Sequence, residues 1–277
     1  MSRAAELLAR HEQVPARAAA AARVLQLVDD PEASASDLGR AIGTDPYFAA
    51  KVLRIANSTY YGLSGRVATL SFAVSVVGFQ TVRSLAVVAA AGLDSESGAP
   101  EGFWRVAALC ATGSELVAPI LGADPGDAFC VGLLHMLGTG LLYQDARDAT
   151  LCLPGSDDPT ALLEHEQAEH GASHDVLGAA VLEAWHFPGH VCDVIREHHD
   201  PALPDASALR RTLQIARSLA ETVLTEELDV PSVPVDYAWL SEGRLNSGEI
   251  PSLRLRMVER SKGLHDALAA TPAPVKP

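Results

Sequence analysis

Aromatic residues are scarce in this chain of 277 residues, since Phe, Trp and Tyr together make up only 5% of it. No stretch alternates polar and apolar residues for long enough to indicate a strand, and no internal repeat is visible. Ala and Leu are abundant instead, and both are strong helix formers. The composition predicts an all-α fold, and the length allows a sizeable core.

Long basic runs are also missing, and the formal net charge is −14. The densest basic stretches are 210–217 and 254–262, and the second of these also contains Glu259. Affinity for nucleic acid comes largely from Lys and Arg placed on phosphates. We therefore expect no nucleic-acid partner, and DNA binding is the function that the charge disfavours most.

Cysteine is limited to Cys110, Cys130, Cys152 and Cys192, with no CxxC pair. This spacing is typical of reduced, buried thiols. The N-terminus MSRAAELLARHEQ carries charges throughout and has no signal-peptide pattern. No window reaches about 18 uncharged apolar residues, so we expect no membrane span and a cytoplasmic location.

Helix-capping signals recur in the first hundred residues. Ser34 precedes Asp37 by three positions, which is the spacing of a capping box. In the next segment Asp45 comes before Pro46, a favoured first helical residue. Thr69 and Gly78 bracket TLSFAVSVVG as N-terminal and C-terminal caps.

The linker LDSESGAPEG divides the predicted helices into two sub-domains. We predict an N-terminal helical bundle over 1–94 and a second helical bundle over 103–224. A C-terminal extension over 225–277 should contain one amphipathic helix, from about Pro251 to Ala269, that packs back on a bundle. The terminal TPAPVKP is predicted to be disordered.

Eight of the ten histidines lie between His135 and His199. HEQAEH resembles the zincin motif, but His165 and His170 are five residues apart and cannot share a metal on one regular helix. His198 and His199 follow a predicted helix C-terminus, where the helix dipole favours a protonated imidazole. In GDAFCVGLLHMLGTGLL, Met136 follows His135 where a metal-binding pair would have Asp.

Taken together, the segments of this chain resemble the HDOD family of all-helical bacterial signalling modules. The resemblance covers about residues 14–224. HDOD modules are related to the metal-dependent HD phosphohydrolases but usually lack their catalytic residues. In the predicted N-terminal bundle, the residues that carry the match are Asp45, Pro46, Asn57, Ser58, Tyr60, Tyr61 and Gly62. Further matching segments are VVGFQTVRSLAV, FWRVAALCAT, GLLHMLGTGLL, EHGASHDVLGAAVLEAWHFP and IREHHD.

The resemblance implies that the HD ligands are mostly lost. The first ligand position falls at about Val106, the His-Asp pair is His135 and Met136, and the late aspartate falls at about Arg217. We therefore expect no catalytic residue, no metal and no cofactor. Three further histidines match histidines of the HD-GYP enzymes, which hydrolyse cyclic di-GMP, and imidazoles alone can hold a soft metal. These are His174, His198 and His199.

Three functions remain open at this point. The first is a non-catalytic regulatory module that binds a signalling protein. Its Asn57, Ser58, Tyr60 and Tyr61 would form a partner surface or a contact between sub-domains. The second is a cyclic-dinucleotide or nucleotide sensor, with phosphate held by the set His135, His174, His198, His199 and Arg217. The third, a residual metal-dependent phosphohydrolase, has the least support.

Overall fold

A computed structural model of the chain describes residues 17–94, 98–146, 159–200, 205–227 and 235–270. The protein is 72% helical and has no strand within these ranges, which confirms the predicted all-α fold. The helices are α1 Arg17–Val28, α2 Ala35–Ile42, α3 Pro46–Ala56, α4 Leu70–Val77, α5 Phe79–Ala90, α6 Phe103–Leu121, α7 Pro125–Leu134, α8 Leu137–Ala146, α9 Pro159–His170, α10 His174–Ala184, α11 Gly189–Arg196, α12 Ala208–Glu227, α13 Tyr237–Leu240 and α14 Ile250–Ala269.

The predicted caps are present at the ends of the early helices. Ser34 and Asp37 form the reciprocal capping box at the start of α2. Asp45 accepts hydrogen bonds from two backbone N–H groups of α3, which begins at Pro46. Gly78 ends α4 with φ of 81°, a conformation that glycine adopts without strain. The chain turns there by 108° into α5.

Two apolar cores hold the helices together. The larger core takes buried side chains from α1 through α8, from α10 and α11, from the start of α12 and from the end of α14, on both sides of the 93–102 segment. The smaller core lies between α6, α12 and α14. The proposed boundaries at 94, 103 and 224 stay a prediction, because apolar packing continues across the first of them.

The C-terminal helix α14 packs on α3 and α6, so it contacts both halves of the chain. Its approach to α6 is close: a Cβ on Gly113 would lie 2.7 Å from Sδ of Met257. The helix begins one residue before the predicted start and ends at the predicted residue. The TPAPVKP segment lies outside the described residues.

Two apolar stretches among the described residues are long enough to cross a membrane by length and composition alone. They are Phe103–Leu121 and Pro125–Ala146, and 61% and 83% of their apolar windows are buried inside the protein. Each contains two charged residues, so neither is an uncharged apolar run of the length that a membrane span needs. Their burial shows that most of this apolar surface packs within the protein. Cys110, Cys130 and Cys192 are buried free thiols, and Cys152 lies outside the described residues.

Candidate functional site

Three separate segments of the chain bring the histidines together. His135 caps the end of α7, and His174 is the first residue of α10. His198 and His199 lie in the turn that follows α11. Three of these side chains are buried, with exposed fractions of 3% for His135, 4% for His174 and 2% for His198.

The centre of the site is a three-histidine cluster of His174, His198 and His199. The Nε2 atom of His174 lies 3.3 Å from Nε2 of His198 and 2.9 Å from Nε2 of His199. One ring nitrogen from each of the three lies within 4.8 Å of the others. His135 stands beside this cluster, with its ring centroid 5.8 Å from that of His198. The structure thus brings together all four histidines that the sequence singled out.

Hydrogen bonds on the far side of each ring fix where its proton lies. Nδ1 of His198 is 2.6 Å from the carbonyl oxygen of Ile195, and Nδ1 of His135 is 2.8 Å from that of Gly132. A carbonyl oxygen only accepts hydrogen bonds, so both Nδ1 atoms carry the proton. In a neutral ring the Nε2 atom is then left with a free lone pair.

His174 is oriented by Glu166, a residue that the sequence analysis missed. Oε2 of Glu166 accepts a hydrogen bond from the backbone N–H of His174 at 2.8 Å. The same oxygen is 2.7 Å from Nδ1 of His174, so this nitrogen must also be a donor. Among the residues of α9, all of which are described, Glu166 alone is buried, and its exposed fraction is 0%.

The HEQAEH motif contains Glu166 and offered a signal for it. A single buried carboxylate in an otherwise exposed helix needs a partner inside the protein, because burying an unpaired charge is costly. The neighbouring His165 is exposed and His170 ends α9, so the motif does not form a zincin site.

Arg217 on α12 closes another side of the cluster. Its Nη1 donates to the carbonyl oxygen of His198 at 2.8 Å. Its Nη2 lies 3.4 Å from Nδ1 of His199. The predicted convergence of Arg217 with the histidines is therefore present, and the guanidinium is already bound to the backbone of the turn.

Burial and the charge of Arg217 keep the imidazoles of His135, His198 and His199 neutral. Burial, followed by Arg217, lowers the pKa of His135 to about 3. The same two causes, in the same order, hold the pKa values of His198 and His199 well below their ordinary range. The helix-dipole argument for protonated His198 and His199 is wrong, because desolvation outweighs the dipole here.

The donor set suits a metal that prefers nitrogen. Within the described residues the group of candidate ligands contains imidazoles only, and zinc, copper, iron and nickel accept such ligands. Met136 is buried beside His135 with an exposed fraction of 8%. A thioether at this position and a guanidinium at Arg217 supply no carboxylate. The residues thus fit a nitrogen-ligated metal and do not supply the carboxylates of an HD centre.

The tyrosines of NSTYYGL lie at the contact between the two halves of the chain. The Tyr60 hydroxyl donates to Oε2 of Glu115 on α6 at 2.5 Å. Arg260 of α14 donates to the same oxygen at 2.8 Å, and its guanidinium lies 5.0 Å from the centre of the Tyr60 ring. Tyr61 packs edge-on against Tyr60, with ring centroids 4.8 Å apart. We call this network of Tyr60, Glu115 and Arg260 the tyrosine joint.

Asn57 ends α3 and fixes the loop that follows Ser58. Its Nδ2 donates to the carbonyl oxygens of Leu53 at 2.9 Å and Val67 at 2.7 Å. Its Oδ1 accepts from the Val67 N–H at 3.0 Å. The side chain therefore closes the loop on itself. Asn57 and Ser58 are both partly buried.

Comparison with known proteins agrees with this architecture. The family model described as "HDOD domain" matches residues 14–201. A Shewanella amazonensis structure titled "Putative phosphohydrolase" has a TM-score of 0.72 and 22% identity, covering 96% of this chain and 98% of that one. A Marinobacter aquaeolei structure titled "Putative signal transduction protein" has a TM-score of 0.69 and 26% identity, covering 91% of this chain and 59% of that one.

A Treponema pallidum protein named only as uncharacterized is 24% identical over 218 residues. The match covers 73% of this chain, and the chain spans 40% of the length of that relative. The family match extends over well more than half of the chain, and it confirms the resemblance found from the sequence. The chain belongs to the HDOD domain family.

Proposed function

We propose that this chain is a non-catalytic signal-transduction module that acts by binding a partner protein. The observation that carries the proposal is the chemistry of the buried cluster. Its candidate ligands are the imidazoles of His174, His198 and His199, and the charged group beside them is Arg217. An HD centre would have carboxylates at the positions of Met136 and Arg217.

Hydrolysis of a phosphate ester makes demands that this cluster meets poorly. The reaction needs an activated water and a group that takes its proton. Carboxylates are suited to that role, and Glu166 is already engaged on the outer side of His174. The Arg217 cation also disfavours close approach of a second cation.

Support for a protein partner comes from the family and from the greater length of one similar chain. In the Marinobacter structure the matched region is 59% of a longer chain whose printed title concerns signal transduction. A module that occurs within longer proteins transmits its state through contacts with other protein segments. We place the chain in the cytoplasm as part of the same proposal.

Metal-supplemented phosphodiesterase assays test the non-catalytic part. Purified protein is incubated with cyclic di-GMP and a chromogenic diester in the presence of Mn²⁺, Fe²⁺, Ni²⁺ or Zn²⁺. We expect turnover equal to that of the His135→Ala variant and of buffer alone. Turnover that is abolished by His135→Ala would establish a phosphohydrolase and overturn the proposal.

Affinity purification from the source cell tests the partner. The tagged wild type is compared with a Tyr60→Ala variant, whose joint between the halves is broken, by quantitative mass spectrometry. We expect one protein to be enriched stoichiometrically with the wild type, with a purified copy of it then binding the purified chain directly. No direct binding by any enriched protein would contradict the proposal.

A nucleotide sensor is the second candidate, and it is favoured by the meeting of Arg217 with the histidines. Arginine and imidazole N–H groups are good donors to phosphate. Burial argues against it, because His135, His174 and His198 each expose 4% or less of their surface. Calorimetry with cyclic dinucleotides and GMP decides the matter: heat that is lost in Arg217→Gln would favour the sensor.

A further inference from the structure

The three-histidine cluster turns one ring nitrogen of each imidazole toward the others. Nδ1 of His174 faces Glu166 and Nδ1 of His198 faces the Ile195 carbonyl, so the Nε2 atoms of both rings point into the cluster. These two Nε2 atoms lie 3.3 Å apart, and Nε2 of His199 lies 2.9 Å from that of His174. Nitrogens that converge in this way need protons or a metal cation between them, because bare lone pairs repel each other.

We propose that His174, His198 and His199 bind one zinc-type divalent metal through imidazole nitrogens alone, and that Glu166 is the positioning residue that directs the His174 lone pair at it. This departs from the expectation that no metal binds. The sequence shows which residues are histidines but not the direction of their lone pairs, and that direction carries the proposal.

The spacing of the His174 and His198 nitrogens agrees with zinc coordination. Zinc binds imidazole nitrogen at about 2.0–2.1 Å in tetrahedral geometry, so two such nitrogens lie about 3.4 Å apart. The His174–His198 distance of 3.3 Å matches this value. The His199 nitrogen lies 2.9 Å from that of His174 and within 4.8 Å of that of His198, so this ring has to shift to complete the same geometry.

Glu166 has the position and charge of a residue that supports a metal ligand. Metal-binding histidines commonly donate their other N–H to a carboxylate, which fixes the ring and raises its basicity. Glu166 does this to His174 at 2.7 Å from a fully buried site. Its Oε1 is buried and has no hydrogen-bond partner among the described residues. The negative charge also offsets that of Arg217 across the cluster.

Bound metal would join α10 to the turn after α11, because its ligands come from both. It would do so without a carboxylate ligand, so the proposal stands whether or not the chain catalyses a reaction. In a regulatory module, such a metal would act as a ligand that makes the contact between α10 and the turn after α11 more rigid. Metal binding in this form needs no change in the tyrosine joint.

The test is direct zinc binding to the purified chain, stripped with chelator and re-loaded. Stoichiometry is measured by plasma mass spectrometry, affinity by competition with a zinc indicator, and geometry by the visible spectrum of the cobalt-loaded protein. Glu166→Gln removes the charge, and Glu166→Leu also removes the acceptor. Glu164→Gln is the matched control, because Glu164 is an exposed carboxylate on the same helix.

We expect one zinc per wild-type chain and none in His174→Ala. Loss of a supporting residue typically weakens metal affinity by about 10-fold to 100-fold. Glu166→Gln should lie near the lower end of that range and Glu166→Leu near the upper end, with Glu164→Gln unchanged. If Glu166→Leu fails to fold, Glu166→Gln decides the role of Glu166. Absence of zinc from the wild type would overturn the proposal, and so would zinc retained by His174→Ala. Wild-type zinc affinity in Glu166→Gln, together with wild-type affinity in a folded Glu166→Leu, would also overturn it.

Discussion

The tyrosine joint is a partly buried polar network and the three-histidine cluster a more deeply buried one, and they differ in how their charges are balanced. In the joint, one carboxylate of Glu115 meets a hydroxyl of Tyr60 and the guanidinium of Arg260. In the cluster, three imidazole nitrogens converge with no carboxylate among them, and Arg217 adds a positive charge. A polar network whose groups all have partners holds helices together. A network whose groups lack partners can instead bind a cation or an anion.

Truncation of the joint should give the largest loss of stability. Tyr60→Ala removes a mostly buried ring and leaves Glu115 without its hydroxyl donor. We expect the free energy of unfolding to fall by about 3 kcal/mol, as for other buried aromatic truncations. Urea unfolding followed by circular dichroism measures it, with Phe72→Ala as control because 46% of Phe72 is exposed. Equal losses for the two variants would show that the joint contributes nothing special.

Crowding at the cluster should give the next largest effect. A Cβ at Gly138 would lie 1.9 Å from the carbonyl oxygen of His174, so Gly138→Ala must push α8 away from α10. We expect a loss of about 2 kcal/mol, together with weaker zinc binding as His174 moves. Gly189→Ala is the control, since nothing lies within 4 Å of its added methyl group. A Gly138→Ala protein with unchanged stability would contradict the packing described here.

Acid should destabilise the protein through the buried histidines and not through the joint. The unfolded chain takes a proton on His135 below about pH 6.5, whereas the folded chain does so only near pH 3. Stability is therefore fully present above pH 6.5 and falls as the pH drops, by about 1.4 kcal/mol per pH unit for each such histidine. The free energy of unfolding between pH 5.5 and 4.5 measures the slope, because this interval lies below the unfolded pKa and above the folded one.

His135→Gln should reduce the pH dependence of the free energy of unfolding by the contribution of one histidine. Tyr60→Phe should leave this pH dependence unchanged. A slope that is the same in His135→Gln and in the wild type would mean that His135 is protonated in the folded protein.

Removal of the Arg217 charge should have a smaller effect. It should strengthen metal binding, whereas Gly138→Ala should weaken it. Arg217→Gln keeps a donor for the His198 carbonyl but removes the cation beside His199. We expect zinc affinity to rise about 10-fold, which corresponds to about 1.4 kcal/mol. Indicator competition measures it against Arg196→Gln, an exposed arginine in an ion pair with Glu183. Weaker zinc binding in Arg217→Gln would show that the guanidinium organises the site.

A histidine outside the cluster should matter least. His190 pairs with Asp127 at 2.8 Å, and 57% of its side chain is exposed. His190→Ala should change the free energy of unfolding by no more than about 0.5 kcal/mol. Zinc stoichiometry should also stay at the wild-type value. Loss of zinc in this variant would move the metal site away from the three-histidine cluster.

Local signals in the sequence predicted much of the fold. The capping box of Ser34 and Asp37, the Asp45–Pro46 start and the glycine at 78 act within four residues of chain, so they are visible without a structure. For the second helical bundle, the prediction came from the resemblance to the HDOD family. The partners of the tyrosines were not predictable, because Glu115 and Arg260 lie 55 and 200 residues away from Tyr60 in the chain.

The site was predicted as a set of residues but not as an arrangement. The four histidines and Arg217 were identified from the sequence, and they do meet. Their proton positions depend on backbone carbonyls at Gly132 and Ile195, which no residue type reveals. Glu166 was overlooked because its motif had the wrong spacing for a zincin, and its actual partner is a histidine on the next helix.

The most direct test is the protonation state of each histidine in the metal-free protein at pH 7, measured by nitrogen-15 NMR of the imidazole rings. The account predicts protons on Nδ1 and bare Nε2 atoms for His135 and His198. It also predicts that added zinc shifts the Nε2 signals of His174, His198 and His199. Protons on Nε2 of His135 and His198, with no response to zinc, would contradict it.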